Sequence, residues 1–79
     1  MNNEELLFSS IAEVLGVPKS SINEKSSQDN IKKWDSLAIV NIVSELELVF
    51  GVQFDILEIV EFYSVEVIKV ILIGKGLKF

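Results

Sequence analysis

Val65-Glu66-Val67-Ile68-Lys69-Val70-Ile71-Leu72-Ile73 is the stretch on which the fold class turns. Its β-branched content favours a strand. A strand needs a neighbour, however, and no second candidate exists elsewhere in the chain. A lone strand would leave its backbone N–H and C=O groups without partners. Ser64 stands where a helix N-cap belongs, and Gly74 and Gly76 follow as stop signals. The stretch therefore reads as a helix, and the chain as all-α.

Just upstream, Asp55 with Glu58 has capping-box spacing and opens a short third helix whose apolar residues are Ile56, Leu57, Ile59, Val60 and Phe62. Before it, residues 36–50 form a second helix that ends at Gly51, spanning roughly 22 Å at 1.5 Å per residue. Leu37, Val40, Val43, Leu46 and Phe50 are expected to form its apolar face, widened by Ile39 and Ile42. Asn41, Ser44, Glu45 and Glu47 are left for solvent. The first helix covers residues 3–15, with Leu6, Leu7, Ile11, Val14 and Leu15 as its stripe, Asn2 and Glu5 at capping-box spacing, and Gly16 and Pro18 as its stop.

Between these two helices, Lys19 to Asp35 form a polar, serine-rich first loop, long for a compact domain. Ile22, Ile31 and Trp34 are its apolar anchors and predict a loop pinned over the core. Trp34 reads first as a buried clamp under the start of the second helix, and second as a wall beside whatever that helix presents. The expected architecture is one domain over residues 1–79, a four-helix bundle with a short third helix and a long first loop.

Composition narrows the chemistry. With no histidine and no cysteine, thiol nucleophiles, imidazole bases and the usual zinc sites are excluded, so neither a catalytic residue nor a metal site is expected. Net charge is −5, and the segment from Asp35 to Glu66 holds seven acids and none of the seven lysines. Such a surface disfavours nucleic acid and favours partners with basic docking patches. Met1 to Ser10 carry no basic residue, and no apolar run reaches the length of a membrane span. The chain is read as cytoplasmic, off the membrane and monomeric.

Asp35-Ser36 opens the second helix. Its first-turn N–H groups lack intrahelical partners and lie at the positive end of the dipole, so a phosphate attached to Ser36 would sit in a favourable field. Asp35 can supply the cap and leave the serine hydroxyl unburied. The plain alternative is that both residues serve only as a cap.

Trp34-Asp35-Ser36-Leu37, Leu46-Glu47, Phe50-Gly51-Val52, Glu58 and Ser64-Val65, at these spacings, resemble the acyl carrier protein family. The resemblance implies that a phosphopantetheinyl transferase attaches 4′-phosphopantetheine from coenzyme A covalently to Ser36. It implies a chain that is no enzyme but carries acyl thioesters to acyl-loading, synthase or acyltransferase partners in fatty-acid, polyketide or other specialised biosynthesis. Asp35 then serves transferase recognition and capping. Leu37 matches the leucine that contacts the transferase, with core packing as its other reading. Glu45 and Glu47 fall on the docking helix, and Ile39, Val43, Ile59, Val60 and Phe62 are candidates to line an acyl cleft.

The chain departs from the common fatty-acid pattern where Ala38 and Asn41 replace acids, Lys32 and Lys33 precede the motif, and Trp34 replaces a smaller residue. These features resemble stand-alone carriers of specialised pathways. A d-alanyl carrier shares the chemistry and differs in cargo. An unmodified acidic helical interaction module is the remaining class.

Overall fold

The computed structural model describes residues 2–79. It contains α1 (Asn3–Leu15), α2 (Ser36–Phe50), α3 (Ile56–Ile59) and α4 (Val65–Gly74), with a 3₁₀ turn at Lys19–Ser21. Among the described residues no strand forms, and the all-α, acyl-carrier-type architecture holds.

The decisive stretch is helical. The Ser64 hydroxyl accepts the Val67 N–H at 3.2 Å, and Val65, Ile68 and Leu72, at helical spacing, are fully buried. Burying such side chains stabilises by about 1.5–3 kcal/mol each, more than β-branched residues lose in a helix. Gly74 is the last helical residue rather than a stop. The chain leaves through Lys75 and turns at Gly76, whose φ of 98° suits glycine.

α2 presents a different face from the one its apolar pattern suggested. Ala38, Ile42, Val43 and Leu46 face the core, whereas Leu37 and Val40 are exposed. Apolar residues occur around the whole circumference of this helix, so periodicity did not single out one stripe. Glu45 and Glu47 are half-buried rather than left for solvent, while Asn41 and Ser44 are exposed as expected.

The long loop is held by its own short polar side chains. Ser26 Oγ accepts the Asn23 N–H at 2.9 Å, Asn23 Oδ1 accepts the Lys25 N–H at 2.7 Å, and Asn30 Oδ1 accepts the Ser27 N–H at 3.0 Å. Such bonds give the backbone local partners where no helix or sheet supplies them. The Gln28 N–H donates to Tyr63 O at 2.8 Å and the Val65 N–H to Ser26 O at 3.0 Å, fastening the loop across the entry to α4. Ile22 and Trp34 are buried and Ile31 packs partly against the core.

Candidate functional site

Trp34 positions the site. Its ring is 1% exposed, and Nε1 donates to the Phe62 carbonyl at 3.0 Å. Phe62 is itself fully buried, edge-on to Phe54 at a centroid distance of 4.8 Å. The residue two before Ser36 is thereby tied to the segment just beyond α3. At the far end of α2, Glu47 Oε2 accepts the Phe54 N–H at 3.0 Å, just before α3 begins. These two ties fasten the chain just before and just after α3 to opposite ends of α2.

Asp35 is the cap of α2. Its extended backbone, φ −108° and ψ −174°, aims Oδ1 at the Ala38 N–H, 2.9 Å away. Ser36 is the first helical residue and is exposed. α1, α3 and α4 each carry acids in their first turn (Glu4 and Glu5, Glu58, Glu66), whereas α2 carries none. The positive end of the α2 dipole is thus left free of competing carboxylates inside its own first turn, an arrangement suited to an anionic group on Ser36. Lys32 and Lys33 are exposed immediately upstream, and Lys33 Nζ reaches Gly16 O at 3.5 Å.

The other candidates fall into distinct settings. Leu37 is exposed beside Ser36. Glu47 is engaged by the Phe54 N–H, whereas Glu45 is half-buried along α2. Val43 and Phe62 belong to the buried core, and Ile39 and Ile59 pack partly against it. Val60 stands exposed at the C-cap of the one-turn α3, so the apolar group between α2 and α3 is smaller than expected. Among the described residues no cavity opens between these side chains, and no acidic cluster suited to a metal forms.

α3 is fixed by charge. Asp55 and Glu58 close a reciprocal capping box. The Lys75 ammonium, 2.9 Å away, together with the Asp55 N–H, holds the Glu58 carboxyl below its usual range. Part of the acidity counted from Asp35 to Glu66 is therefore committed inside the fold. The sequence reading missed the exposed Leu48, Ile56 and Leu57.

With this geometry in place, residues 5–68 match a family described as the phosphopantetheine attachment site. The chain belongs to that family. No curated protein matches it. The family is the site of covalent 4′-phosphopantetheine attachment, a carrier domain served by transferases and synthases. The exposed serine at the start of α2, where Asp35 is the cap and the first turn beyond it carries no acid, fits that group, since it offers an accessible hydroxyl beside first-turn N–H donors. No described helix is long and apolar enough to cross a membrane.

Proposed function

We propose that this chain is a carrier of acyl intermediates whose 4′-phosphopantetheine arm is attached at Ser36, for fatty-acid, polyketide or other specialised acyl biosynthesis. The observation that carries this reading is the exposed Ser36, next to the Asp35 cap, at the only α-helix start without a first-turn acid among the described residues.

In the attachment step the Ser36 oxygen forms a bond to the phosphorus that bears the pantetheine of coenzyme A. The bond to the adenosine-side phosphate breaks, adenosine 3′,5′-bisphosphate leaves, and the hydroxyl proton passes to a base on the transferase. Magnesium and base belong to that enzyme, which fits a chain with no histidine or cysteine. When bound, the arm supplies a terminal thiol for thioester chemistry. This chain's residues hold and present it and perform no catalysis of their own.

Asp35 holds the first turn in shape and, with Leu37, meets the transferase. Ile39, Val43, Ile59 and Phe62 are the packing that an acyl chain entering between α2 and α3 would displace. The d-alanyl alternative has no observation in its favour here.

Intact mass after incubation with coenzyme A, magnesium and a permissive phosphopantetheinyl transferase tests the assignment. One phosphopantetheine adduct is expected on the chain, and none on Ser36→Ala. An unmodified chain beside a control carrier that is fully modified would reject the reading, and an adduct surviving in Ser36→Ala would move the site.

A further inference from the structure

Two hydrogen bonds and one ring contact hold the seam between α2 and the α3 segment closed from end to end. Two residues before Ser36, the Trp34 indole donates to the Phe62 carbonyl at 3.0 Å. Inside, the Phe62 ring stands edge-on to Phe54 at 4.8 Å. At the far end of α2, the Phe54 N–H donates to Glu47 Oε2 at 3.0 Å. The Lys75 ammonium lies 5.3 Å from the Phe54 ring centre and pairs with Glu58 at 2.9 Å, which fastens α3 to the exit of α4. Trp34 is the largest fully buried side chain among the described residues and Phe62 the next, so the seam is filled by volume as well as closed by bonds.

A hydrocarbon chain folding back from an arm on Ser36 into this seam has to displace Trp34 and Phe62 from the core. That strips the buried Phe62 carbonyl of its donor. Against this stands the burial of the chain's own methylenes, which here replaces apolar contacts already made in a close-packed interior. Apolar area is covered before and after the exchange, and the indole bond is lost. The exchange is unfavourable.

Resting on the assignment of Ser36 as the attachment point, we propose that Trp34 is a specificity-determining residue that keeps the cargo outside the bundle. The substrate class is then a short or polar acyl group, which has little apolar surface to shelter. A long hydrocarbon chain on this carrier would stand in water along its length. A smaller side chain at position 34 would vacate the volume and release the Phe62 tie together, and so admit such a chain.

The test loads the full chain with acetyl- or octanoyl-phosphopantetheine from the corresponding coenzyme A thioester, using a permissive transferase and magnesium. Hydroxylamine then attacks the thioester carbonyl, giving the acyl hydroxamate and the free arm thiol, and intact mass follows the loss. A sheltered thioester is protected, so the rate scales with the fraction of time that the cargo spends outside. Each rate is divided by that of the same free acyl-coenzyme A. The wild-type acetyl and octanoyl forms should then agree within about twofold, and their thermal midpoints should coincide. In Trp34→Leu the octanoyl form should be cleaved about fivefold more slowly than the acetyl form and should melt at a higher temperature. Octanoyl protection or a raised octanoyl midpoint in the wild type would overturn the proposal, whether or not Trp34→Leu folds. A folded Trp34→Leu chain without protection would overturn the role given to Trp34. Failure of both thioesters to load, beside a control carrier that loads, would strike the assignment of Ser36 itself.

Discussion

Both α2 and α4 begin at an oxygen-bearing cap, Asp35 and Ser64, and both are strongly apolar. Both bury one face, α4 through Val65, Ile68 and Leu72 and α2 through Ile42 and Leu46; outward, α2 leaves three large apolar side chains in water, Leu37, Val40 and Leu48, and α4 two, Val70 and Ile73. Their charges differ in the same sense. Lys69 on α4 bridges Glu4 at 2.8 Å and Glu24 at 2.9 Å, and its ammonium lies over the Phe79 ring at 5.7 Å. Lys75 pairs with Glu58 and lies 5.3 Å above Phe54. No ion pair involves α2 among the described residues. The α4 side commits its polar groups to holding α1, the first loop and α3 in place. The α2 side leaves a serine, an uncharged stripe and a dipole end free of first-turn acids available to a partner.

Substitutions that remove holding residues should unfold the domain, and equivalent ones on the presenting surface should not. Trp34→Ala should cost about 3–5 kcal/mol, since it empties a buried volume and strips the Phe62 carbonyl of its donor. Denaturant unfolding measures this, and a loss under about 1 kcal/mol would mean that the loop is not clamped through the indole. Ile68→Ala on α4 should cost about 2–5 kcal/mol, whereas Leu48→Ala on α2 should stay within about 0.5 kcal/mol. Equal losses at the two positions would erase the distinction between the helices.

The contrast shows what the sequence could convey. The helix at Val65–Gly74 was legible because strand pairing had no partner and Ser64 marked its start. The loop was legible in its anchors, Ile22 and Trp34, but not in its internal order. Bonds such as Asn30 Oδ1 to the Ser27 N–H depend on φ and ψ rather than on a periodic pattern. Asp35-Ser36 was legible as a cap with a free hydroxyl. The orientation of α2 was not, because burial is a property of the neighbours, and a helix apolar all round reads the same at every rotation. Glu47 was misread for a similar reason: its partner, the Phe54 N–H, lies across a turn the sequence does not describe.

The two caps give a finer comparison. Asp35→Ala and Ser64→Ala should each destabilise by about 1 kcal/mol, because each deprives one first-turn N–H of its acceptor. Only Asp35→Ala should also slow phosphopantetheine transfer, measured by mass at fixed times on protein confirmed folded by circular dichroism. Equal slowing in Ser64→Ala would reduce Asp35 to a stability element.

The smallest effect is the pH dependence of the holding side. Glu24 lies below the usual carboxylate range, chiefly through its hydrogen bond with Lys69, and Glu58 does so through Lys75 and then the Asp55 N–H. A folded-state pKa below the unfolded one gives stability that is present above the unfolded value and is lost as pH falls through the folded value. Lys69 is raised, by Glu4 first and Glu24 second, so its contribution is full below the ordinary lysine pKa and fades as pH rises through the raised value. Thermal midpoints should therefore stay flat across neutral pH and decline on the acid side, below about pH 4. Because Glu24 is exposed and Glu58 and Lys69 are only half-buried, the decline should be shallow. Lys69→Met should flatten the part of that decline that comes from Glu24, whereas Lys33→Met, beside the presenting surface, should leave it unchanged. An acid limb identical in wild type and Lys69→Met would mean that the Lys69 bridge contributes nothing to the stability of the α4 side.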